Sequence, residues 1–216
     1  HSGLYNDRKD IGNLIKTFCK SFINVPEESR PCLIVKTSGV GYSVVDRFQT
    51  LKYIKQVRSE VGSNAPNVYL LHGELSDVEM NHLFNHDKVK VHVTFTHGEG
   101  YGHPMLLSTL SGKPLLAPNW GGQLDYLNPK YAQLLPGNLV NVDRHSVNKW
   151  ILKESKWFRV SYNLAESKFQ NVFQYYTGKL LEKSEELRKE NAEKFSLSAM
   201  DKRFWELLDK YVPQFS

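Results

Sequence analysis

Short apolar runs alternate with stretches of helical spacing through the first part of the chain. "CLIVK" (32–36), "NVYLLHG" (67–73), "KVHVTFT" (90–96) and "PLLAP" (114–118) are short and rich in apolar and β-forming residues, as the buried strands of a parallel sheet are. Between them, Ile11, Leu14, Ile15, Phe18 and Phe22 recur at helical spacing, as do Val44, Phe48, Leu51, Ile54 and Val57. A third helix is expected at "SDVEM", where Ser76 and Glu79 have the spacing of a capping box. A fourth is expected near Pro104, since proline suits the first helical position. Strands and helices in alternation predict an α/β fold with a Rossmann-like, doubly wound parallel sheet.

The chain opens on a loop and a helix, so the first strand of that sheet is expected to be missing or supplied from elsewhere. After "NLVNVD" (138–143) no further strand is expected. Leu164, Phe169, Val172, Phe173, Tyr176, Leu180 and Leu187 trace one long amphipathic helix with Gly178 as its weak point. A last helix should follow "SLSAMD", with Ser198 and Asp201 as its cap pair, and end near Val212. The expected division is a Rossmann-like domain over 1–160 and a helical segment over 161–216. That segment would pack on the domain or on a second domain outside the chain.

Composition narrows the class without naming a function. Of 216 residues, 40% are hydrophobic and 24% charged, which fits a globular protein. No apolar run approaches the roughly 20 residues that span a bilayer. The opening "HSGLYNDRKD" has neither a Met nor an apolar core and is read as the start of an excised fragment. The net charge of +5 admits an anionic ligand but selects none, and no motif supports nucleic-acid binding. Cys19 and Cys32 each fall in a segment that reads as buried helix or strand, so both are expected as free core thiols. His72, His92, His97 and His103 lack metal-ligand spacing, and no metal is expected.

Candidate chemistry gathers where strands lead into helices. In "THGEGYGHP", Gly100 and Gly102 allow close backbone approach to a ligand, and the N–H groups around Gly102 and His103 would face an anion. A carboxylate at Glu99 would repel phosphate but accept hydrogen bonds from sugar hydroxyls, so the combination suits a ligand carrying both. "NWGGQLDYL" (119–127) adds Gly121 and Gly122 just after another strand. Arg8 and Lys9 precede the first helix, two cations that could neutralise a diphosphate.

Taken in order, Gly3-x5-Lys9 before a helix, "GELSD" (73–77), "EGYGHP" (99–104) and "PNWGG" (118–122) resemble the donor-binding half of family-4 retaining glycosyltransferases. These enzymes have the GT-B architecture of two Rossmann-like domains facing across a cleft, and the resemblance runs from Gly3 through the C-terminal helices. It implies that Lys9, with Arg8 beside it, grips the donor diphosphate. Glu99 matches the first acid of an E-x7-E motif near the donor sugar's hydroxyls. Gly100, Tyr101 and Gly102 match the loop beneath phosphates and sugar, and Gly73, Glu74 and Leu75 match a loop near the base. Gly121 and Gly122 match a small-residue turn, and His97 and His103 are expected as further donor contacts.

Two positions depart from the pattern: Leu107 stands where the second acid holds the ribose, and Leu4 where an arginine often follows the first glycine. The reaction implied is transfer from a UDP- or GDP-linked sugar with retention, without metal or other cofactor, the nucleotide sugar being substrate. The acceptor site would lie on an N-terminal domain outside this chain, so the fragment should bind donor and turn over poorly or not at all. Phe195, Phe204 and Trp205 are candidate contacts with that domain. Leu107 also keeps open a non-catalytic nucleotide-sugar-binding or scaffold domain. "SGVGYS" (38–43) keeps open a dinucleotide oxidoreductase, although its glycine pattern is incomplete. The expected setting is the cytoplasm, at most at a membrane's periphery.

Overall fold

A computed structural model of the chain describes residues 8–37, 42–149 and 151–212. Gly3, Leu4 and most of the "SGVGYS" stretch lie outside the described residues. The elements run α1 (Ile11–Phe22), β1 (Leu33–Thr37), α2 (Val44–Val61), β2 (Val68–His72), α3 (Asp77–Asn85), β3 (His92–Val93), α4 (His103–Thr109), β4 (Leu115–Pro118), β5 (Gln133–Leu135), β6 (Gly137–Asn141), β7 (Lys156–Val160), α5 (Tyr162–Gln174), α6 (Gly178–Lys194) and α7 (Leu197–Tyr211).

β1 pairs in parallel with β2, and β3, β4 and β5 form a second parallel sheet in that order. No strand among the described residues joins β1 to β3. The α/β fold with parallel sheets follows the strand and helix alternation. β4 shows why its sequence is apolar throughout. Successive side chains of a strand point to opposite faces, and here both faces are buried: Leu116 enters one apolar cluster while Leu115 and Ala117 enter the other.

The larger cluster joins α1, β1, α2 and α5 through Leu14, Ile15, Phe18, Val35, Val57 and Phe169, with Phe95 at its centre. Phe95 is fully buried and stacks on Phe169 at 5.9 Å and on Tyr162 at 6.0 Å. α5 therefore belongs to the main core. α6 packs against α4 and places Leu187 in the second cluster. α3 begins with the expected capping box, Ser76 accepting from the Glu79 N–H and Glu79 from the Ser76 N–H.

Several expectations need correction. "KWFRV" forms β7, antiparallel to β6, so the strands do not stop at 143. Its Trp157, Phe158 and Val160 are buried, and a hairpin strand of five residues is too short to outweigh the polar run before it. The long C-terminal helix is two, broken over 175–177, and α6 begins at Gly178 with φ 36. Ser196, rather than Ser198, caps α7 by accepting from the Ala199 N–H at 3.2 Å. Val44 and Phe48 lie on the exposed side of α2, 82% and 67% accessible, because only its second half packs on the sheet through Ile54 and Val57. Cys19 is buried, but Cys32 is exposed because it precedes β1 at the rim of the sheet.

Phe195 is partly buried against the second cluster, edge-on to Tyr126 at 6.0 Å, whereas Phe204 and Trp205 stay exposed on α7. No helix among the described residues is long and apolar enough to cross a membrane.

Because Phe169 meets Phe18, Phe22 and Phe95 at once, Phe169→Ala should lower unfolding free energy by about 3–5 kcal/mol. Urea denaturation followed by circular dichroism would measure it.

Candidate functional site

The site stands where β3 gives way to the loop leading into α4. Thr96, His97, Gly98 and Glu99 follow the strand, and the chain just before α1 comes alongside them. The His97 N–H donates to the Arg8 carbonyl at 2.7 Å, and the Thr96 hydroxyl lies 3.3 Å from the same carbonyl. This backbone contact brings three predicted residues together. Arg8 Nη1 lies 2.9 Å from Glu99 Oε1 and donates to the Gly98 carbonyl at 2.6 Å, and Lys9 Nζ pairs with the same Oε1. Thr96 Oγ1 donates to Oε1 as well, at 2.8 Å.

Three donors thus converge on one oxygen of Glu99. The Glu99 side chain is 13% accessible while those of Arg8 and Lys9 are each 47% accessible. Burial alone would raise the Glu99 pKa, but hydrogen bonds from Lys9, Thr96 and Arg8 overcome it and hold the carboxyl below its ordinary value. Two half-exposed cations against one carboxylate leave the cluster with a net positive charge, facing solvent.

The two glycine loops interlock. Gly122 N–H donates to the Glu99 carbonyl at 3.0 Å, and a Cβ on Gly122 would sit 1.8 Å from the Gly100 carbonyl oxygen. The close approach that glycine permits there is to the neighbouring loop. Gln123, fully buried, fastens the turn by donating through Nε2 to the carbonyls of Pro118 and Trp120. Gly102 takes the left-handed conformation, φ 78, at the start of α4, and the buried Tyr126 hydroxyl shares its one hydrogen between the carbonyls of Tyr101 and Gly102, 2.8 and 2.7 Å away. Burial pushes the Tyr126 hydroxyl well above its usual range, so it stays a donor. Tyr101, His103 and Leu107 are exposed beside this loop.

His97 is 3% accessible and faces inward, its Nδ1 2.7 Å from the Phe158 carbonyl and its ring stacked on Trp157 at 4.1 Å. Gly73, Glu74 and Leu75 lie at the end of β2, in the other sheet, where Lys36 Nζ donates to the Gly73 carbonyl at 2.8 Å and His72 pairs with Asp46 at 2.7 Å. Thr96, Tyr126, Asp10 and Tyr162 build the site but no motif singles them out. Only their adjacency to Glu99, Lys9 and the glycines could have flagged Thr96 and Asp10. No group of three His, Cys, Asp or Glu among the described residues is arranged to hold a metal ion.

The arrangement is a mixed α/β, Rossmann-like domain of the kind that forms half of a GT-B glycosyltransferase. Among solved structures, the chain is similar to the N-terminal domain of Candida albicans trehalose-6-phosphate phosphatase, with TM-score 0.65 and 13% identity, covering 96% of this chain and 40% of that one. It is similar to Anabaena HepE, solved in complex with UDP and glucose, with TM-score 0.63 and 12% identity over 94% of this chain and 45% of that one. Sucrose-phosphate synthase from Thermosynechococcus elongatus gives TM-score 0.60 and 15% identity, over 94% and 43% respectively. The chain therefore spans less than half the length of each. At these identities the likeness is one of fold. No protein-family description matches the chain, and no curated protein matches it in sequence.

Gly122→Ala should destabilise the protein by about 3 kcal/mol, because a backbone oxygen cannot move aside as a side chain can. Gly100→Ala, whose Cβ meets nothing within 4 Å, should leave the melting temperature nearly unchanged by calorimetry. A Glu99 pKa held low in the folded state contributes stability above the unfolded glutamate value, lost as pH falls through the folded one. The stability difference between wild type and Glu99→Gln should accordingly be largest near neutral pH and shrink towards about pH 3, as read from urea midpoints.

Proposed function

We propose that this chain is the donor-binding half of a glycosyltransferase that transfers a sugar from a UDP- or GDP-linked donor. The observation that carries this reading is the meeting of Arg8, Lys9 and Glu99 at the end of β3, beneath interlocked glycine loops. A diphosphate would exchange places with Glu99 as partner of the two cations, which then stabilise the negative charge that builds up as the nucleoside diphosphate departs. With Thr96 fixing one oxygen, Glu99 offers the other to hydroxyls of the transferred sugar. The fold is one that Anabaena HepE, solved with UDP and glucose, also has, which supports a nucleotide sugar as ligand.

The finer reading follows the family-4 pattern of motifs: retention at the anomeric carbon, charge neutralisation by Lys9 and Arg8 without a metal, and an acceptor site on another domain. On that reading the isolated chain binds donor but turns it over poorly. Leu107, 38% accessible on α4, would meet the ribose with an apolar surface in place of a carboxylate.

Isothermal titration of this chain with UDP, UDP-glucose and GDP-mannose tests the reading. Binding of one donor, weakened about tenfold or more by Lys9→Ala with the fold intact, is the expected result. Equal affinity of wild type and Lys9→Ala would remove the diphosphate assignment, and absence of binding to all three would remove the donor site from this chain.

A further inference from the structure

Asp10 carries two costs at one position. It is the only described non-glycine residue with positive φ, at 52°, a conformation that glycine would adopt without strain. Its carboxylate is also fully buried, where an ionisable group is expensive unless held by partners. Burial raises its pKa against the pull of His97, Tyr162 and Asn13. A turn former alone needs neither cost, and the partners show what the side chain adds.

Asn13 Nδ2 donates to Oδ1 at 2.7 Å from the first turn of α1, and Tyr162 OH donates to Oδ2 at 2.7 Å from the start of α5. On the third side, His97 Nε2 faces Oδ2 at 3.8 Å. The carbonyl of Phe158 can only accept, so Nδ1 of His97 carries a hydrogen and the ring's orientation is fixed. Trp157, stacked at 4.1 Å, closes the other side. Two segments distant in sequence, α5 and the β3–α4 loop, thus meet one carboxyl beside the start of α1, and the residue before it is Lys9. Among the described residues, the charged or titratable groups acting on this carboxyl include His97 from the β3–α4 loop, Tyr162 from α5 and Arg159 from β7.

We propose that Asp10 is a positioning residue for the site: its anchored carboxyl fixes the left-handed turn against α5 and the β3–α4 loop, and so aims Lys9 and Arg8 at Glu99. His97 serves the same end from the opposite side, through its backbone N–H to Arg8 and its ring to Asp10. The consequence for donor affinity rests on the function proposed above, but the aiming of Lys9 does not.

The test uses Asp10→Gly, which keeps the turn and removes the anchor, and Asp10→Asn, which keeps the shape and an acceptor for Tyr162. His97→Asn keeps a donor for the Phe158 carbonyl and withdraws the group facing Asp10. The first readout is the titration of the Glu99 carboxyl by carbon-13 NMR without ligand. In Asp10→Gly the midpoint should rise from its depressed wild-type position, because Lys9 and Arg8 are no longer held against Glu99. Asp10→Asn and His97→Asn should fall between that variant and wild type. An unchanged Glu99 midpoint in Asp10→Gly, or in Asp10→Asn should the glycine variant not fold, overturns the proposal. The second readout is UDP affinity, expected to drop in Asp10→Gly towards that of Lys9→Ala. A wild type that binds no UDP sinks the donor reading, while the Glu99 titration still decides the positioning role.

Discussion

The hydrogen bond from the His97 N–H to the Arg8 carbonyl, 2.7 Å long, ties the chain before α1 to the loop after β3. Everything distinctive about the site hangs on this junction between segments some 90 positions apart. Neither segment is held by a ladder at that point: β3 ends at Val93, and α1 begins only at Ile11. The junction is made instead by single bonds whose donor residues, Thr96 and His97, are buried, where a lost partner costs more than a made bond contributes. A fully buried Thr96, His97 and Asp10 at one crossing are the sign of such a dependence.

Electrostatics and packing act in sequence along this junction. Packing of Phe95 between α5 and the sheet sets the end of β3, and polar contacts from Thr96 to Glu99 then decide where charge lies. The carboxylate of Glu99 tolerates its partial burial only because both cations and a hydroxyl meet its Oε1. The cations, in turn, remain half-exposed. A site arranged so holds its acid firmly and its bases at the surface, the polarity an anionic ligand requires.

Much of this was legible in the sequence. Short continuous apolar runs and helical spacing located β1 to β4 and α1, most sharply at β4, where both faces are buried. Ser76 and Glu79 announced the start of α3, since a capping box is local chemistry. The glycines of "EGYG" and "GG" marked the loops but not their mutual contact, which joins two stretches of backbone and leaves no trace in side-chain type. β7 escaped notice because five residues after a polar loop carry little periodicity. Asp10 escaped because an acid before a helix reads as an ordinary N-cap, and nothing local indicates that its partners come from α5 and the β3–α4 loop. Val44 and Phe48 misled in the other direction, having helical spacing without a surface to cover.

The contact between Gly122 and the Gly100 carbonyl has a consequence for how such a domain can diversify. With the Gly100 carbonyl pressed on Gly122, a side chain at Gly122 would displace the facing loop, whereas one at Gly100 would meet open space. Trp120, Tyr101 and Leu107 stand just outside that contact and are exposed. Variation is therefore channelled to the rim, where one residue can be exchanged for another while the scaffold that holds Glu99 stays as it is.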